Sequence, residues 1–208
     1  MFTGRSPGCE RSKAPIEPLR SKIIEGSAYN LTKVDKFSEM IILDDSLQAL
    51  KDRFNSHRQS PRFLALLSPT WPGWSVQGAR AVQASIINKF PNADICISIV
   101  WIKKLSGDSE QTAKKAAAMF KDHRVAHFYD SNKRSGKAIA NRLGWTGQVA
   151  WDIYLFYEAG VEWVNTTPQP AYWMHQLKDS WADKTHFRTG DDLVNELLNA
   201  MTKLLDGD

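Results

Sequence analysis

The sequence predicts an α/β fold: a mixed central sheet, covered by helices on both faces, with a β-hairpin toward its C-terminal end. Three observations predict it. From residue 41 onward, short apolar runs alternate with longer segments of helical period. One run, "DICISIVWI" at Asp94–Ile102, is rich in β-branched residues and apolar on both sides, as in a strand covered from above and below. Finally, "WDIYLFY" and "VEWVN" are separated only by Glu158-Ala159-Gly160, the spacing of an antiparallel hairpin.

Taken in order, residues 1–40 read as a flexible leader, broken by Pro7, Pro15 and Pro18 and charged without hydrophobic period. Residues 41–208 read as one domain. Met40 stands directly before "IILDDSLQALKDRF", so the expectation is either a translation start at Met40 or a dispensable extension. A helix follows from Asp44 or Asp45, with an acidic cap and Leu47, Leu50 and Phe54 on one stripe. Arg62–Leu67 is a buried strand between Pro61 and Pro69. The next helix runs from about Pro72 to Lys89, with Val76, Ala79, Val82, Ile86 and Phe90 spaced for one face.

After the strand at Asp94–Ile102, Asp108 with Gln111 three residues on signals a capped helix, with Ala113, Ala117 and Phe120 inward. "VAHFYD" is a short strand, and "SNKRSGKAIANRLGW" a helix stopped by Gly144. The hairpin comes next, then a Pro- and Trp-rich loop over Pro168–Trp181. The last helix has Thr189 as cap and Leu193, Leu197, Met201 and Leu204 as its stripe.

Composition narrows the function. A chain of 208 residues with 42% hydrophobic and 24% charged residues can bury a sizeable core, to which eight tryptophans contribute. The net charge of +4 is spread as pairs such as Lys103-Lys104 and Lys114-Lys115 among acids, which argues against a nucleic-acid face. No run is long enough to span a membrane, and the leader lacks the apolar core of an export signal. Two cysteines, Cys9 and Cys96, make no disulfide framework, and the expected compartment is a reducing cytoplasm. There is no Gly-rich phosphate loop, no Gly-x-Ser-x-Gly and no His-Glu-x-x-His. His123 and His127, four apart, have no cysteine or carboxylate nearby that would complete a metal motif, and neither metal nor cofactor is expected.

The stretch "FLALLSPTWPGWSVQGARAV", Phe63–Val82, carries a resemblance. A buried strand running through Ser-Pro-Thr into a helix resembles the thioredoxin fold. More narrowly, "SPTWPGW" looks like the corner of bacterial thioredoxin-like proteins that read Ser-Pro-Thr-Cys-Pro-x-Cys, with tryptophan at both cysteine positions. "AWDIYLFYEAGVEW" and "WMHQL" are similar to that group as well. The resemblance spans about Asp44–Leu205 and implies a thioredoxin-like three-layer sandwich. It carries over no catalytic residue, because Trp71 and Trp74 offer no thiolate. The place where thioredoxins put a cis-proline falls in "GWTGQVAWD", near Val149 or Ala150, where there is no proline.

The corner formed by Thr70, Trp71, Pro72, Gly73 and Trp74, faced by Val149 and Ala150, is the candidate binding groove. Trp71 at the tip reads as exposed for recognition, whereas the spacing of Trp74 to Gly78 and Val82 turns it toward the body. Ser68 or Thr70 could cap the helix, and free N–H groups there could hold a small anion, with capping preferred. Asp130, Asp152 and His175 form the other candidate polar set. They could do acid–base work or hold a metal, against the simpler reading that Asp130 caps a helix and His175 bonds within its loop.

The expectation is therefore a redox-inactive binding or scaffold module for a protein or a small thiol ligand. The alternative is a divergent oxidoreductase or glutathione-dependent enzyme without a Cys-x-x-Cys centre.

Overall fold

The computed structural model describes residues 39–70 and 74–207 together with Met1, Thr3 and Gly4, and only the backbone of Trp74 and Ser75. The chain divides into two units, Met1–Val34 and Asp35–Asp208, and the architecture is that of the second. Apart from the few positions named, the leader read at residues 1–40 lies outside the described residues.

Strands β1 (Ile41–Ile42), β2 (Arg62–Leu67), β3 (Cys96–Ile102), β4 (Val125–Asp130), β5 (Ile153–Tyr157) and β6 (Tyr172–His175) form one sheet. Their order across it is β1-β4-β3-β2-β5-β6. The pairs β1–β4, β4–β3 and β3–β2 are parallel, while β2–β5 and β5–β6 are antiparallel. Helices α1 (Gln48–Ser56), α2 (Trp74–Val82), α3 (Glu110–Ala117), α4 (Arg134–Arg142) and α5 (Gly190–Asp206) cover it.

The two-residue period of the strands sorts the core into two halves. Phe63, Ala65, Leu67, Ile97, Ile99, Trp101, Tyr154 and Phe156 face α2, α3 and α5. Leu64, Leu66, Val100, Ile102, Phe128, Leu155 and Tyr157 face α1 and α4. Strands β2, β3, β4 and β5 are buried along their whole length, as their continuous apolar runs demand. This is the mixed, helix-covered thioredoxin-like sandwich that the sequence predicts, with β1 added at its edge.

Several elements shift from their expected places. Helix α1 starts at Gln48, not at Asp44 or Asp45. The Asp44 carboxylate accepts from Ser46 N and Oγ, Ser46 Oγ accepts from Gln48 N, and Leu47 turns through φ 58°. Leu47, Leu50 and Phe54 are buried as expected. Helix α2 is α-helical only to Val82 and continues as a π turn over Gln83–Ile87. In it Val76 faces solvent, 41% exposed, while Ala79, Val82 and Ile86 pack inward. Thr189 sits at the N-cap position of α5 without a side-chain cap bond. Gly144 ends the α4 region at φ 80°, as predicted.

The hairpin is the largest correction. Val161–Asn165 is not a strand; the partner of β5 is Tyr172–His175, inside the expected loop. Side chains replace the ladder for the displaced segment. Asn55 of α1 accepts from Trp163 N at 2.9 Å and donates Nδ2–H to Trp163 O at 2.9 Å. Lys51 donates to Val164 O, and the buried Arg62 donates to Val161 O at 3.0 Å and to Glu158 O. With its backbone groups met this way, the loop needs no strand neighbour. The Trp163 indole packs edge-on to Phe54, 6.0 Å between centroids.

Candidate functional site

Strand β2 ends at Leu67, and the next residues turn the chain toward α2. Their organiser is Asp108, only 2% exposed. Its carboxylate accepts from Ser68 Oγ at 2.8 Å, Thr70 N at 3.1 Å, Thr70 Oγ1, Lys104 N at 2.8 Å and Leu105 N at 2.7 Å. One buried anion thus joins the corner after β2 to the loop after β3. The expected roles change accordingly. Asp108 does not cap α3; Ser109 does, in a capping box with Thr112. Ser68 and Thr70 give their hydroxyl protons to Asp108, so the anion these side chains hold is the protein's own.

Trp71, Pro72 and Gly73 lie outside the described residues, and of Trp74 only the helical backbone is described. After Thr70 a groove of about 360 Å³ opens over Trp101, walled by Ser68, Thr70, Val76, Ala79 and Met119. Val76 and Met119, 41% and 36% exposed, make its rim apolar.

Beneath α2, the Tyr154 hydroxyl donates to Gln176 Oε1 at 2.6 Å. A Cβ on Gly78 would stand 1.8 Å from that hydroxyl, so glycine is what lets the helix lie this close to β5. Burial drives the Tyr154 phenol well above its ordinary pKa, with the Asp152 charge acting in the same direction. Val149 and Ala150 enter β5, whose Ile153 pairs with Leu66 at the end of β2. Both pack on the α4 side of the sheet with Ile139 and Ala140, where the Ala150 N–H donates to Gly136 O at 3.0 Å, and neither lines the groove over Trp101.

Asp130 and His175 are both engaged locally, and the sheet keeps Asp130 away from Asp152. The Asp130 carboxylate accepts from Asn132 N at 3.1 Å and from Ser135 N at 2.8 Å and Oγ, closing the start of α4. It lies on β4, three strand steps from β5, or about 14 Å across the sheet. His175 is fully buried. Its Nδ1 accepts from Leu177 N at 3.0 Å, which places the proton on Nε2, facing Asp183 O at 2.8 Å. With both nitrogens taken and burial lowering its pKa, the ring is a neutral structural group between Trp145 and Trp173. Asp152, buried with φ 45°, accepts Gln176 N at its carbonyl, 2.9 Å away.

The two expected strand histidines separate. His123 precedes β4 with its side chain 91% exposed, while His127 lies inside the strand at 3%. Among the described residues no group of three or more His, Cys, Asp or Glu side chains could hold a metal. No described helix is long and apolar enough to cross a membrane.

Cys96 is the first residue of β3, paired with Arg62 at the beginning of β2, and is 2% exposed. The corner lies beyond Leu67, at the other end of that strand, about 17 Å away at 3.3 Å per residue. Burial pushes the Cys96 thiol up, outweighing the nearby Arg53 and a hydrogen bond with Ser98.

Sequence reasoning missed Asp108 as an organiser. Its local partners, Lys104 and Leu105, lie four and three residues before it, within the local side-chain-to-backbone patterns open to an Asp. Its partners Ser68 and Thr70 are 40 and 38 residues away, and nothing in the sequence announces them.

No family model matches the chain, and no curated protein does. Three solved structures are similar to it at low identity. A thioredoxin-like protein in its oxidized form is 15% identical, with 68% of this chain and 79% of that one covered and a TM-score of 0.40. A putative thioredoxin from Neisseria meningitidis is 14% identical, covering 57% and 71%, at 0.37. A secreted Mycobacterium tuberculosis disulfide oxidoreductase homologous to E. coli DsbE is 14% identical, covering 69% and 84%, at 0.38. The fold itself rests on the sheet order and register above.

Proposed function

We propose that the chain is a redox-inactive thioredoxin-fold binding module, "SPTWPGW" being a corner whose two thiol positions hold Trp71 and Trp74. One observation carries this reading. The described thiol, Cys96, is buried with a raised pKa at the far end of β2–β3, out of reach of a disulfide docked at the corner. Disulfide exchange needs an accessible thiolate, and indole rings provide none. The groove over Trp101, rimmed by Val76 and Met119, suits an apolar side chain of a protein partner. Insulin-disulfide reduction with dithiothreitol tests the reading. Wild type and Cys96→Ser should both stay at the rate of dithiothreitol alone. Turnover by wild type that Cys96→Ser abolishes would overturn it.

A further inference from the structure

A second cavity, separate from the corner, is built around His127. In β4 this residue sits between Val125 and Tyr129 on the face that meets α2, α3 and α5, and pairs in register with Ile99. It is 3% exposed. Its ring stacks on Trp101, 6.2 Å between centroids at 25°, and tilts against Phe120 at 5.7 Å. Trp101 Nε1–H donates to His127 Nδ1 at 3.3 Å, which leaves the proton on Nε2. Nε2–H has no partner among the described residues, and His127 lines an open cavity. Burial holds the His127 pKa down at about 4, so near neutral pH the ring is a donor without charge.

His127 lines a cavity of about 270 Å³ whose other walls include Met40, Ala117 and Phe120. Lys114 and Lys121 line it too. Lys114 is paired with Glu110 at 2.6 Å, while Lys121 makes no ion pair among the described residues. The set comprises one neutral donor open to the cavity, apolar walls and ammonium groups. A strongly hydrated dianion would find too few donors here. A single carboxylate attached to a compact apolar body matches each part.

We propose that this cavity binds a small carboxylic acid in its ionised form, its apolar body against Met40, Ala117 and Phe120 and its carboxylate accepting the His127 Nε2–H beside Lys121. This site is independent of the corner and of the proposed function, and either can fail without the other.

Titration of the full chain with sodium benzoate, followed through the Trp101 indole N–H resonance (assigned with Trp101→Phe), tests it. A saturable shift is expected, with benzoate binding ~3-fold or more tighter than neutral benzamide, a preference that Lys121→Met removes. His127→Phe should weaken benzoate ~10-fold or more through loss of a hydrogen bond to a charged group. Ala117→Leu should do the same by filling the cavity from a partly exposed position, and decides the matter if His127→Phe does not fold. An absent shift in wild type would mean that only water meets His127, and the proposal falls. It falls equally if benzamide binds as well as benzoate, or if Ala117→Leu leaves affinity unchanged.

Discussion

Replacing Asp108 by alanine removes the acceptor shared by five donors on two loops. The Ser68 and Thr70 hydroxyls can rotate toward other acceptors, but the N–H groups of Thr70, Lys104 and Leu105 are fixed by the backbone. At about 1–3 kcal/mol for each buried donor left unmet, these three alone give about 3–9 kcal/mol. Relaxation and water entry pull this toward about 3–5 kcal/mol, the usual cost of removing one partner of a buried charge. Asp108→Asn keeps one oxygen, best turned to Ser68, Lys104 and Leu105. Its amide then meets Thr70, whose hydroxyl can flip to accept while its N–H cannot, for a cost of about 2 kcal/mol. Urea unfolding monitored by tryptophan fluorescence and far-UV circular dichroism reads both. With a slope of about 2 kcal/mol/M, the alanine midpoint should fall by about 2 M and the asparagine midpoint by about 1 M. An ordinary helix cap is worth only about 1 kcal/mol. An alanine variant within about 1 kcal/mol of wild type, or no worse than asparagine, would refute the organising role.

Further outcomes follow from the packing. His127 binds its proton far more weakly folded, at about 4, than unfolded at about 6.5. Its contribution is therefore intact above pH 6.5 and is lost as pH falls toward 4, by about 3 kcal/mol. His127→Phe should flatten that limb of a stability–pH profile, and an unchanged slope would contradict the assignment. Gly78→Ala should destabilise by about 2 kcal/mol or more despite alanine's helix propensity, because the new methyl meets the Tyr154 hydroxyl. The same substitution in a Tyr154→Phe background should cost clearly less in thermal unfolding, and equal costs would rule out that contact. Asn55→Ala should cost about 1–3 kcal/mol and speed amide exchange of Trp163, whose N–H it leaves unmet. Unchanged exchange would refute the loop hook.

The legibility of this sequence tracks how local the deciding contacts are. Strands β2, β3 and β4 were readable because continuous apolar runs have one outcome in a sheet covered on both faces. The cap at Asp130 and the stop at Gly144 were readable because their partners lie within a few residues. Strand β1, two residues long, has no pattern of its own and exists only through pairing with Phe128 and Tyr129. Val161–Asn165 has the alternation of a strand, yet Asn55 supplies its hydrogen bonds from 108 positions away. Tyr172–His175 hid among prolines and tryptophans and is a strand because β5 offers it a free edge. At the site, the removal of Cys96 from reach followed from its place in a buried run. The Asp108 hub and the open His127 donor rest on contacts between elements that no spacing encodes.

The claim beneath all of this is that the folded domain presents no reactive sulfur. In a Cys9→Ser chain, where Cys96 is the remaining thiol, the rate of reaction with Ellman's reagent measures it directly. The account predicts no labelling in native buffer beyond the rate of unfolding, and one thiol per chain once urea opens the sheet. Rapid stoichiometric labelling of the native chain would contradict it.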